Sequence, residues 1–462
     1  MDRETARPDV DVMPGKRAKE WADHHAQTAA KTTYVYDFVW DVTEPAIGPF
    51  CTDVDGNVLL DFTSHVASAP LGYNNPTLRD RLGAFDLPDP GKIAGQDFYA
   101  SGGWPPEDPE FPGPTQLMDR IRDRTSHYDL DTVFLSNSGA EAVENAIKIC
   151  YQDRPSAGKG LTFEGAFHGR TLGALSLNRS KAPHRRHFPE IPGIESVPFC
   201  DDEGCTAATC SCGFFPTETD SVLRRKLRPG QGSLDPETLA YVILEPIQGE
   251  GGYRFPSDAF MDELAALTEE HDIPVIADEI QAGLGRTGEF WGSDNYPIEP
   301  DVITAAKGLR VGATVANRDR FPVDKARLSS TWGAGDIVAA LQGCLTLDVI
   351  EDEGLLDNAV RRGRQLRDLL TDLEAPFVEN VRGKGLMVAF DLDTKDRREA
   401  VIKASLNRGL LLLGCGHRTI RVLPPLDVRE REIEIGVDVL GDALDDSAVV
   451  GAGPSADAAK SP

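Results

Sequence analysis

The chain predicts an α/β fold in which a mostly parallel sheet is covered by helices, with a smaller α/β layer toward the C-terminus. Short buried runs recur at 132–136, 160–165, 239–246, 273–279 and 301–308, and helical spacing separates several of them. Ala142, Val143, Ala146, Ile147 and Cys150 form an apolar stripe at i, i+1, i+4, i+5 and i+8, on a helix opened by Asn137-Ser138-Gly139. Such alternation buries a parallel sheet on both faces and gathers ligands beyond the carboxyl ends of its strands.

Taken in order, residues 1–30 are polar and charged and are expected to be mobile. The string CTDVDGNVLLDFTS reads as a hairpin around Asp55-Gly56, inside a stretch (31–90) expected to contribute to the small domain. Strands and helices alternate from about Leu117, within a large domain expected over 91–340. After Asp336 the chain turns helical, then strand-like at GKGLMVAFDLD and, past another helix, at IRVLPPL. The small C-terminal domain is therefore expected over 341–445, with a flexible tail at 446–462.

Composition narrows the class of function. The 462 residues carry 75 Asp plus Glu against 48 Lys plus Arg, a formal net charge of −27. That surface repels nucleic acid and anionic membranes, and its Asp-rich, Arg-over-Lys bias suits life in high salt. No apolar stretch follows the N-terminal basic residues, and no run of membrane-spanning length occurs, so a cytoplasmic protein is expected. Eight cysteines are too few for a disulfide scaffold, and the scattered Cys51, Cys150, Cys344 and Cys415 are expected to be core thiols.

Three strands end on chemistry. Lys307 follows DVITAA, Asp278 follows IPVIA, and Glu245 follows LAYVIL and opens EPIQGEGG. Alone, each has an ordinary structural explanation as a snorkelling lysine or a capping acid. Together they present an amine and two carboxylates at one sheet edge. Ser138, Gly139 and Ala140 lie between a strand and a helix, where free backbone N–H groups and the helix dipole favour an anion such as phosphate. In GAFHGR, Phe167 offers a flat apolar face and Arg170 a fork for a carboxylate.

SNSGAEA, FHGRT, EPIQGEGG, ADEIQAGLGRTG and ITAAKG, in this order, resemble the class III aminotransferases, enzymes of fold type I that use pyridoxal 5'-phosphate (PLP). The resemblance runs from roughly Asp53 to Leu426. It implies that the large domain binds PLP, that Lys307 bonds to the cofactor and shuttles a proton, and that Asp278 pairs with the pyridine nitrogen. Gln281 is similar to the partner of the ring hydroxyl, Ser138, Gly139 and Ala140 to the phosphate cup, and Phe167 to the stacking aromatic. Thr331 resembles the residue lent by a second subunit, which implies a homodimer with shared active sites. Arg421 is similar to the clamp on the α-carboxylate of glutamate or 2-oxoglutarate, Arg170 to the grip on the distal carboxylate, and Glu250 to the gate that neutralises Arg421.

Lys307-Gly308-Leu309-Arg310-Val311-Gly312-Ala313 departs from the family's common Gly-Gly-x-Pro-Ile-Gly-Ala. With Ser330-Thr331-Trp332-Gly333 and Gln96-Asp97-Phe98-Tyr99, it looks more like the lysine 6-aminotransferase and 4-aminobutyrate branch than the ornithine or acetylornithine branch. Gly333-Ala334-Gly335-Asp336 replaces the usual Gly-Gly-Asn. The implied activity moves the terminal amine of lysine or 4-aminobutyrate to 2-oxoglutarate. Ornithine or acetylornithine transamination, and a racemase or aminomutase reaction on the same fold, are the alternatives.

One segment lies outside the family pattern. Cys200, Cys205, Cys210 and Cys212 crowd into PFCDDEGCTAATCSCGFF, which could bind a structural zinc or close disulfides. The spacing is not that of common zinc ribbons, and reduced thiols in a surface insertion without metal are the leading expectation.

Overall fold

The computed structural model describes residues 1–447 except 33–36, 90, 93–98, 202–204, 207, 218–219, 330–334 and 374. The chain forms two compact units, Met1–Arg79 with Asp357–Pro462, and Asp80–Leu356. Among the described residues, no helix is long and apolar enough to cross a membrane.

In chain order, β1 (Phe50–Thr52) and β2 (Val58–Asp61) form the expected antiparallel hairpin. Gly56 adopts φ +91° in the reversal, a conformation that favours glycine. Next come β3 (Thr132–Ser136), β4 (Lys159–Phe163), β5 (Ile194–Val197), β6 (Leu239–Leu244), β7 (Val275–Asp278), β8 (Val302–Ala305) and β9 (Gly312–Ala316). They make one seven-stranded sheet in the order β3-β9-β8-β7-β6-β4-β5. Strands β5, β4, β6, β7 and β8 run parallel, and β9 alone is antiparallel to both of its neighbours.

The sheet's core is that of a two-sided layer. Every residue of β6 through β9 is buried. The helix Gly139–Asp153 lays Val143, Ala146, Ile147 and Cys150 against Tyr241, Ile243, Ile276 and Val302. Each aliphatic side chain so buried contributes about 1.5–3 kcal/mol. The apolar stripe read from the sequence is thus the face that fixes this helix, and with it the position of its first turn.

The other unit contains β10 (Val378–Lys384), β11 (Met387–Leu392), β12 (Leu410–Leu411), β13 (Leu413–Cys415) and β14 (Thr419–Val422). Four of them order as β10-β11-β14-β13, whereas β12 pairs in parallel with β2. That pairing joins the N-terminal hairpin to the C-terminal segment. The chain divides at 79/80 and 356/357 rather than at the expected 90/91 and 340/341; the second division lies later because the helix Ile337–Asp352 packs on the helix Pro114–Asp123 of the large unit. The first thirty residues also depart from a mobile segment. Lys16–Thr28 is helical, and the buried Arg3 guanidinium pairs with Asp427 at 2.7 Å and Glu432 at 2.6 Å. A buried arginine needs such partners, and these acids lie far away in sequence.

Candidate active site

Sheet register brings the strand-end residues together. Asp278 closes β7 opposite Thr304 of β8, and the Glu279 N–H donates to the Thr304 carbonyl at 2.9 Å. Lys307 follows on the tight reversal from β8 into the antiparallel β9, closed by the Arg310 N–H to the Lys307 carbonyl at 2.9 Å. Lys307 itself sits in the left-handed region at φ 52°. A non-glycine residue held there stores backbone strain, a feature that clusters at functional sites. Gly312, which starts β9, pairs with Ser136 at the end of β3. Lys307, Asp278 and the Ser138 turn therefore share one end of the sheet.

The cup is built by close approach. Ser138 caps the helix Gly139–Asp153, its Oγ accepting the Glu141 N–H at 3.2 Å. The Gly139 and Ala140 N–H groups have no carbonyl partner within the helix. A Cβ on Gly139 would come within 2.7 Å of Ile280 Cδ1, and one on Gly169 within 2.8 Å of Ala140 Cβ. The absence of side chains at these two glycines lets the cup touch both the segment after Asp278 and the turn after His168.

Asp278 is buried and its Oδ2 lies 2.7 Å from His168 Nδ1, while Oδ1 accepts the Ile280 N–H at 3.2 Å. Glu245, also buried, accepts the Phe167 N–H on Oε1 and the Gly249 N–H on Oε2, each at 2.9 Å. Burial pushes Glu245 up to about 7, with the neighbouring Asp278 adding to the rise and His168 opposing it. Glu245 thus braces Phe167. Gln281 accepts the Tyr253 O–H on Oε1 at 2.9 Å, which leaves the amide NH2 to donate elsewhere.

A cationic edge adjoins Phe167. The Arg170 guanidinium lies 6.0 Å from the Phe167 ring centroid, and His184 meets the same ring edge-on at 5.8 Å. Arg170 is exposed and has no ion pair among the described residues. Burial and the nearby Arg170 and Lys181 hold His184 below its usual range. Lys181 pairs with Glu250. Arg421 is buried in β14 of the other unit, with its backbone opposite Ala389 and Leu413. Thr331 lies outside the described residues, as do Gln96, Asp97 and Phe98.

The family model described as Aminotransferase class-III matches residues 110–444. The chain is a class III aminotransferase. Acetylornithine aminotransferase from Caldanaerobacter subterraneus subsp. tengcongensis is 32% identical over 403 residues, covering 85% of this chain and 91% of that protein. The 4-aminobutyrate aminotransferase of Dictyostelium discoideum is 32% identical over 425 residues, covering 82% of this chain and 80% of that protein. Lysine aminotransferase from M. tuberculosis matches in structure with a TM-score of 0.79 at 28% identity, covering 94% of this chain and all of that one.

The aminotransferase uses PLP. Its residues fit that cofactor: an oriented carboxylate in Asp278, an amine in Lys307, an aromatic ring in Phe167, and a helix start whose small residues leave backbone N–H groups approachable by phosphate. Four supporting residues escaped the sequence reading of roles. His168 stood inside a recognised string, Tyr253 and Lys181 carried no local signal, and Glu245 was visible only as a strand-end acid. Each acts through a partner distant in sequence: Asp278, Gln281, Glu250 and Phe167.

Proposed function

We propose that this aminotransferase takes the terminal amine of an ω-amino or diamino acid, lysine or 4-aminobutyrate foremost, and delivers it to 2-oxoglutarate. The observation that carries this reading is the cation Arg170 beside Phe167, an exposed fork at the edge of the cofactor-binding residues. A distal carboxylate suits that fork, and a dicarboxylate acceptor supplies one. Arg421 is assigned to the α-carboxylate and Glu250 to its neutralisation when a terminal amine enters. Lys181 gives the Glu250 carboxylate a cationic partner of its own. The relatives named for 4-aminobutyrate and lysine support the donor class.

When bound, PLP supplies an electron-withdrawing ring that accepts the electron pair released as a carbon–hydrogen bond of the donor is broken. Asp278, itself held by His168, would hold the ring nitrogen. Lys307 would carry the proton taken from the amine-bearing carbon. The Gln281 amide N–H would donate to the ring hydroxyl. We assign the enzyme as a homodimer, with Thr331 of each subunit serving the other's cofactor.

The relatives named acetylornithine aminotransferase favour a second reading, in which the donor is acetylated. A donor panel at fixed 2-oxoglutarate separates the two, scoring glutamate from lysine, 4-aminobutyrate, ornithine and N-acetylornithine. Turnover with lysine or 4-aminobutyrate is expected. Turnover with the acetylated donor alone would replace the first reading by the second.

A further inference from the structure

We propose that Cys200, Cys205, Cys210 and Cys212 form a four-thiolate site for one structural zinc ion. The sulfurs of these four residues all lie within 4.8 Å of one another, with Cys200 and Cys205 buried and Cys210 and Cys212 half-buried. Four sulfurs each about 2.3 Å from one zinc lie about 3.8 Å apart. Tetrahedral closure therefore needs the widest pair to contract by less than an ångström or so, and the Cys210–Cys212 pair, now 3.1 Å apart, to open.

The surroundings already orient the sulfurs. The Phe215 N–H donates to Cys210 Sγ at 3.3 Å, and the Ser257 O–H donates to Cys200 Sγ at 3.3 Å. Donors aimed at sulfur are the outer contacts that a metal thiolate takes. Gly213 adopts φ +84°, the left-handed conformation that lets the chain double back after Cys212. Phe199 and Phe214 pin the two ends of the segment, their rings 5.1 and 4.7 Å from that of Phe260.

Metal chemistry explains what the segment lacks. Between β5 and the helix Val222–Leu227, the described residues of 198–221 contain no helix or strand, an unusual length of loop to order without a cross-link. Binding would exchange four thiol protons for one divalent cation, leaving a site with two net negative charges and no redox change. The clamp would also brace the active site. Asp201, next to Cys200, is gripped by Arg254 at 2.7 and 3.0 Å, and Arg254 also donates to the Glu164 carbonyl at 3.1 Å and to Gln248 Oε1 at 3.2 Å. Glu164 immediately precedes the GAFHGR segment, and Gln248 lies within EPIQGEGG.

The test uses the full-length holoenzyme, loaded with zinc under reducing conditions and desalted. One zinc per chain is expected by elemental analysis. Cobalt loading should give the red d–d absorption of tetrahedral thiolate coordination. Cys210→Ser and Cys212→Ser should each lose at least nine-tenths or so of the retained zinc while keeping PLP bound, since neither touches the cofactor residues. If the serine variants do not fold, stripping zinc from the native enzyme with a chelator should make the half-buried Cys210 and Cys212 reactive toward a disulfide reagent, the other six cysteines being buried. A desalted wild-type enzyme without zinc, a disulfide among these four residues, or serine variants that hold zinc as the wild type does would each overturn the site.

Discussion

His168 Nδ1 lies 2.7 Å from Asp278 Oδ2, and both side chains are buried. With Nδ1–H donating to the carboxylate, His168 fixes which way Asp278 turns. His168 Nε2 is buried without a hydrogen-bond partner among the described residues, so the Asp278 contact is the polar anchor of this ring. His168→Ala should cost about 1–3 kcal/mol of positioning, which is about a 10–100-fold fall in kcat. The pH titration of the bound cofactor's visible absorption should move as well. A melting temperature that falls while that titration stays put would assign His168 to packing alone.

Glu245 titrates against the ordinary direction of carboxylate stabilisation. Burial raises it in the folded chain from 4.5 to about 7, so the native state binds its proton more tightly than the unfolded state does. Its contribution is present below pH 4.5 or so and is lost as pH rises toward about 7, with a limit of about 3 kcal/mol. Glu245→Gln cannot ionise. Urea midpoints of variant and wild type should therefore converge at acid pH, and the variant should gain relative stability up to pH 7 or so. A difference that stays flat across that window would remove Glu245 as the titrating group.

Arg170 stands 6.0 Å from the Phe167 ring centroid at an exposed edge. Arg170→Ala should raise the KM for 2-oxoglutarate about tenfold, the effect of losing one charge-assisted hydrogen bond. The fold should be indifferent, because no ion pair is lost among the described residues. Steady-state kinetics with the acceptor varied is the measurement, and an unchanged acceptor KM would count against the assignment.

Gly312 begins β9 where a Cβ would meet the Ser138 carbonyl oxygen at 2.2 Å and Ser136 Oγ at 2.5 Å. Backbone cannot swing aside as a side-chain tip can. Gly312→Ala should push the Ser138 turn away, costing about 1–3 kcal/mol of stability and lowering PLP affinity in the same variant. Thermal melting with and without added PLP measures both. By contrast, the contact awaiting a Cβ at Gly139 is the end of the Ile280 side chain, so Gly139→Ala should be the milder change.

Much of this protein was legible because its periodicities are local. The stripe Val143, Ala146, Ile147 and Cys150 and the buried run Leu239–Leu244 express helix and strand within a few residues, and the structure puts those elements there. Lys307, Asp278 and the Ser138 turn were visible because strand-end chemistry follows from that pattern. What the chain could not disclose locally was pairing at long range. The partners His168–Asp278, Tyr253–Gln281, Phe167–Glu245 and Arg3–Glu432 are separated by 110, 28, 78 and 429 positions. The direction of β9 and the parallel union of β12 with β2 belong with them. Such contacts are selected by packing of the whole sheet and its covering helices, and a side chain acquires its partner, its burial and its proton affinity only when that packing is complete.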